Sequence, residues 1–119
     1  MNAKRLYDPG WEKVHEAVKS PGCELDAVGY YGEISRGLVT YWEVGGTHFG
    51  LRKIPNALVV VSIAGDTSEK GIANALVETY AHAKELGLAK VRMFGERVPE
   101  IKSLPKFGIA YAVLECRVE

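Results

Sequence analysis

The chain predicts an α/β domain of three layers around a central mixed sheet, in the order α-β-β-β(β)-α-β-β, and three observations carry that expectation. Residues 58–64 (Leu-Val-Val-Val-Ser-Ile-Ala) are an almost unbroken apolar run with the length and β-branched content of a buried strand. Residues 66–86 then place Ile72, Ala75, Leu76, Thr79, Tyr80, Ala83 and Leu86 along one helical stripe. Upstream, Gly45-Gly46 separates two aromatic and β-branched stretches, a pair suited to the positive φ of a two-residue hairpin turn.

The other elements follow in chain order. Residues 1–10 are polar and end in the turn signal Asp8-Pro9-Gly10, which predicts a loose start. Residues 11–20 predict a short helix with Trp11, Val14, His15 and Val18 at i, i+3, i+4 and i+7, stopped by Pro21-Gly22. Residues 25–33 and 38–44 read as strands joined through residues 34–37. On the second, Leu38, Thr40, Trp42 and Val44 share one face and Val39, Tyr41 and Glu43 the other, so both faces should be covered. Residues 47–53 return antiparallel and Pro55 closes them. Asp66 is the expected N-cap of the long helix, with Glu69 completing a capping box and Gly87 ending it. Residues 90–94 predict a short strand, 96–107 an irregular stretch broken by Pro99 and Pro105, and 108–118 one closing strand.

With 119 residues, 47% of them hydrophobic and 25% charged, the whole chain (1–119) reads as one globular domain able to bury a core without staples. Fifteen basic residues balance fifteen acidic ones. A free-standing nucleic-acid binder usually carries a basic excess, so any RNA or DNA contact falls to a local patch or a partner. Cys23 and Cys116 lie near opposite ends and read as small buried hydrophobes. With no signal-like apolar start and no run long enough to span a bilayer, the expectation is a cytoplasmic protein without a membrane.

The candidate chemistry is sparse. In Ala64-Gly65-Asp66-Thr67-Ser68 a strand feeds a helix start, which can bind an anion or simply cap the helix; Asp66 favours capping. His15 sits beside an apolar stripe, His48 follows the Gly-Gly turn, and His82 reads as solvent-facing between Glu78 and Glu85. None has the i, i+4 partner of a zinc helix. His48 is a candidate general base whose partner the sequence does not identify. Tyr30, Tyr31, Tyr41 and Trp42 could stack on bases, but strand propensity and burial explain them as core.

Two resemblances bear on function. The segments around Asp26 (Glu24-Leu25-Asp26-Ala27-Val28) and Glu43 (Tyr41-Trp42-Glu43-Val44-Gly45) resemble the strand pair of restriction-endonuclease-like nucleases. That likeness implies a Mg²⁺ held by Asp26 and Glu43 to polarise a phosphate and activate water. Such sites carry a lysine two residues after the glutamate, where this chain has Gly45. The word Gly45-Gly46-Thr47-His48-Phe49-Gly50, with the order of elements over residues 45–118, resembles the catalytic domain of archaeal tRNA-splicing endonucleases, also of this broad fold.

That family cuts RNA without metal, using a tyrosine, a histidine and a lysine. On the resemblance, Asn56 stands at the histidine position and cannot cycle a proton near neutral pH. The tyrosine-bearing loop is shortened to residues 51–55, and Lys84 or Lys90 matches the lysine. The family's Tyr-x-Asp-Leu-Arg word is missing. The resemblance therefore implies a non-catalytic structural subunit that needs no cofactor. It would oligomerise with a catalytic endonuclease subunit and meet tRNA through the complex, with His48, Arg52, Lys53, Lys84 and Lys90 as the RNA- or partner-contact candidates. The alternatives are the Mg²⁺-dependent nuclease and a homo-oligomeric binding module without catalysis.

Overall fold

A computed structural model describes residues 1–21, 23–94, 101–110 and 113–119. The strands are β1 (Lys4–Arg5), β2 (Thr40–Val44), β3 (Thr47–Ile54), β4 (Ala57–Gly65), β5 (Lys90–Met93), β6 (Gly108–Ala110) and β7 (Val113–Arg117). The helices are α1 (Trp11–Ala17), α2 (Ala27–Ser35) and α3 (Glu69–Glu85). One mixed sheet runs in the order β1-β2-β3-β4-β5-β7-β6. Every neighbouring pair is antiparallel except β4 and β5, which are parallel and joined by the α3 crossover.

Strand alternation sends successive side chains to opposite faces and makes two cores. On one face Phe49, Leu51, Leu58, Val60 and Val91 pack with Leu76 of α3. On the other, Val39 and Tyr41 pack with Val14 of α1 and with Tyr30 and Ile34 of α2. Each fully buried side chain of this size contributes about 1.5–3 kcal/mol of transfer free energy. The result is the expected three layers. The expected hairpin is also present, with Gly45 and Gly46 at φ 54° and 83°.

Several expectations are corrected. Residues 25–33 are not a strand: Asp26 accepts a hydrogen bond from the Gly29 amide at 2.7 Å and caps α2. Ala27, Tyr30 and Ile34, three and four residues apart, supply its buried face, and that helical period outweighs the strand propensity of the tyrosines. The meander before α3 therefore has three strands. Residues 1–10 are not loose throughout, because the exposed edge of β2 offers backbone partners. β1 pairs with it, and the Glu78 carboxylate accepts from the Asn2 and Ala3 amides at 2.7 and 3.1 Å.

α1 ends at Ala17 rather than residue 20. The N-cap of α3 is Ser68, whose hydroxyl accepts from the Gly71 amide at 3.2 Å. Asp66 instead makes a local turn, accepting from the Ser68 amide at 3.0 Å. The closing strand is two antiparallel strands, β6 and β7. Gly22, residues 96–100 of the irregular stretch and residues 111–112 of the expected closing strand lie outside the described residues.

Gly50 on β3 permits a close approach of α2 to the sheet. A Cβ there would collide with the Tyr30 hydroxyl, which shares a buried 2.5 Å hydrogen bond with Ser62 Oγ on β4. Gly50→Ala is expected to lower stability by about 2–4 kcal/mol in denaturant unfolding. Adding Tyr30→Phe removes the colliding oxygen and should restore part of that loss, although Tyr30→Phe alone destabilises by leaving Ser62 without its partner.

Candidate functional site

A cleft of about 420 Å³ opens where β4 and β5 reach their carboxyl ends. It exists because the parallel pairing of β5 with β4 stops at Val60 and Met93 while β4 continues to Gly65. The backbone beyond Val60 needs other partners. Ser20, just past α1, provides two: its hydroxyl accepts from the Ile63 amide at 3.1 Å and donates to the Ile63 carbonyl at 2.8 Å. Glu16 Oε1 accepts from the Gly65 amide at 3.0 Å. The end of α1 with Glu16 and the turn after it with Ser20 thus stand in for a neighbouring strand and form one wall of the cleft. Val61, Ile63, Ile72, Met93 and Phe94 supply its apolar surface.

Behind Glu16 lies a buried polar relay. His48 Nε2 stands 3.5 Å from Glu16 Oε2, and its Nδ1 is hydrogen-bonded to the Tyr41 hydroxyl. Burial holds the Tyr41 phenol far above its ordinary titration range, so it keeps its proton. In the tautomer whose Nδ1 accepts from the phenol, the imidazole proton sits on Nε2 and faces the Glu16 carboxylate. Burial pushes His48 below its ordinary value of 6.5; Glu16 opposes that shift, Lys13 adds to it, and Glu43 opposes it more weakly. Lys13 Nζ lies 3.9 Å from Glu43 Oε2, so these two charges largely answer each other.

Gly65 completes the arrangement at φ 79°, a conformation that favours glycine. Any Cβ at this position would run into the Gly46 carbonyl and come within 2.9 Å of the His48 ring. The arrangement can therefore present one carboxylate, oriented from behind by a neutral imidazole and an amide, to whatever occupies an apolar cleft.

The sequence candidates are dispersed. His48 is buried within the relay rather than presented on the surface. Arg52 pairs with Glu33 of α2, and Lys90 pairs with Glu115 at 3.2 Å. Arg92 shares that carboxylate at 2.5 Å, and Arg92 and then Lys90 hold it below the usual carboxylate range. Lys53 and Lys84 are exposed. The register puts His48 opposite Ala64 at the cleft end, whereas Lys53 and Lys90 lie at the far end, beside Leu58 and Ala57.

Asp26 caps α2 while Glu43 lies on β2, so the strand pair on which the Mg²⁺ expectation rested is not formed. Among the described residues no group of three or more His, Cys, Asp and Glu side chains is placed to hold a metal. His82 is not solvent-facing; it packs on Trp42 with ring centroids 5.1 Å apart. Tyr30 and Tyr41 are core, as expected. Glu16, Ser20 and Tyr41 were not legible as site residues: they lie on α1, in the turn after it and on β2, and only the packing of α1 on the sheet brings them together.

Comparison with known proteins adds one partial likeness. The chain is similar to a stretch of the protein sly1 homolog of Drosophila virilis, 28% identical over 124 aligned residues that cover 97% of this chain and 18% of that protein. This chain thus spans less than a fifth of that relative's length. No family model matches the chain, and no solved structure does. No helix among the described residues is long and apolar enough to cross a membrane.

The relay gives stability a pH dependence with a definite sign. Native His48 binds a proton less readily than a histidine in the unfolded chain, near 6.5. Below that value the unfolded state holds more protons, so stability should fall as pH drops through 6.5 and be complete above it. Urea unfolding across about pH 5–8 checks this, and His48→Gln should flatten the acid limb relative to the parent protein.

Proposed function

We propose that this chain is a non-catalytic structural subunit that scaffolds a heteromeric RNA-processing endonuclease of the tRNA-splicing kind, on a restriction-endonuclease-like sheet. The observation that carries the reading is Asn56. On the resemblance it occupies the place of the catalytic histidine, and here it sits at φ 69° in the two-residue turn between β3 and β4. Asparagine tolerates that left-handed conformation, so the position serves the turn.

Residues 51–55, matched to the family's tyrosine-bearing loop, lie largely within β3, with Leu51 in the core and Arg52 paired to Glu33. Lys90, one of the two candidate lysines, is engaged by Glu115. Further support comes from the order α-β-β-β-α-β from α2 to β5, with a parallel last pair.

The Mg²⁺-dependent alternative lacks such support, because Asp26 is committed to a helix cap. A second reading, a homo-oligomeric binding module, is favoured by the cleft itself, whose volume lies within the usual range for ligand sites.

Affinity capture of the tagged chain from its native cells, with mass spectrometry and RNA sequencing, separates the two. A larger nuclease subunit and intron-bearing tRNA are the expected recovery, and the purified chain alone should leave that RNA uncut. Recovery of this chain alone, as an oligomer by light scattering, would overturn the subunit reading in favour of the binding module.

A further inference from the structure

We infer that the cleft at the carboxyl end of β4 binds an ammonium group carried on an apolar stem, with Glu16 as its charge partner. The site combines three features that the subunit reading does not use. The first is Glu16 itself: its carboxylate lines the cleft, and its side chain is 53% exposed, so a ligand can reach it. An ionised carboxylate offers about four lone-pair directions. One accepts from the Gly65 amide and a second faces His48 Nε2, which leaves acceptor capacity toward the cleft.

The second feature is pre-organisation. Glutamate side chains lose considerable rotamer freedom when a ligand fixes them. Here that ordering is done in advance, by an amide held in the sheet and by an imidazole locked behind by Tyr41. Among the described residues Glu16 makes no ion pair with Lys13 or Lys19, its neighbours one helical turn away. Lys13 turns to Glu43, and Lys19, although exposed, also lines the cleft.

The third feature is the wall opposite. Val61, Ile63, Ile72 and Met93 provide an apolar surface for a short hydrocarbon stem, and the Phe94 ring is 48% exposed at the cleft. An exposed aromatic ring lining the same cleft as a carboxylate is a second attraction for an ammonium group, through its π face. An anionic head would meet the Glu16 carboxylate, which the Gly65 amide and His48 hold in place, whereas Lys19, the cation of the lining, has no such anchoring contact among the described residues. A neutral stem would fill the cleft and leave the oriented carboxylate without a charged partner.

The ammonium can come from a free amine or from a lysine side chain of a partner protein, and the two sources share this chemistry. The test is a titration of the purified chain followed by amide NMR, with phenethylamine, phenethyl alcohol and Nα-acetyl-lysine amide as probes. We expect at least one amine to shift the Gly65 and Ile63 amides and to bind about tenfold or more tighter than the alcohol. The tighter of the two amines identifies the source.

Glu16→Gln keeps an acceptor for the Gly65 amide but removes the charge, and should abolish the preference for amine over alcohol. Phe94→Ala, at an exposed position, should weaken amine binding about two- to fivefold and serves if Glu16→Gln does not fold. Equal affinity for phenethylamine and phenethyl alcohol, no shift at Gly65 with either amine, or amine binding unchanged in the variants would overturn the assignment.

Discussion

β4 is longer than the strand beside it, and the rest of the cleft end follows from that mismatch. A sheet edge inside a folded domain exposes amides and carbonyls that must find partners, and an unmet buried group costs on the order of 1–3 kcal/mol. β5 serves β4 only as far as Val60. Beyond it, Ser20 answers both backbone groups of Ile63 and Glu16 answers the Gly65 amide. These side-chain bonds tie α1 to the sheet end, and they also leave room for the cleft, since side chains bridge the gap that a full strand would have filled.

The same constraint explains why the relay is buried while its last member is not. His48 and Tyr41 lie on adjacent strands under α1, where polar groups must be paired. Tyr41 and His48 satisfy each other on one side, and Glu16 meets the remaining imidazole nitrogen. A glutamate can do this from a helix surface because its stem is long, so its side chain reaches the buried imidazole and also lines the cleft. Gly65 is the price of that closeness: with any Cβ the strand end would be driven off the Gly46 carbonyl and the His48 ring.

Much of the fold was legible because several signals agreed locally. For the hairpin, β4, α3 and β5, hydrophobic period and turn chemistry pointed the same way. They disagreed over residues 25–33, where two tyrosines and a valine suggested a strand; Asp26 as a cap and apolar residues at 27, 30 and 34 were the helix signal to weigh more heavily. β1 was illegible in principle, since Lys4 and Arg5 pair only because β2 offers a free edge. The cap of α3 passed to Ser68 because the chain makes an extra turn at Asp66 that a capping pattern does not encode.

The site was hidden for a different reason. Glu16 reads as one more charged residue on a polar helix face, and Ser20 as the end of a helix; neither has an unusual neighbour in sequence. Their roles appear only once α1 lies along β3 and β4, where a helix residue meets strand residues 32 to 49 positions later. His48 carried a faint signal, a histidine directly after a glycine turn, but the sequence could not supply the partner that gives it meaning. The partner is a carboxylate whose position depends on Gly65, and Gly65 lies in the segment whose capping pattern pointed instead to Asp66. The strand end and the relay are therefore one unit, and the glycine that closes β4 also sets where the carboxylate of Glu16 can stand.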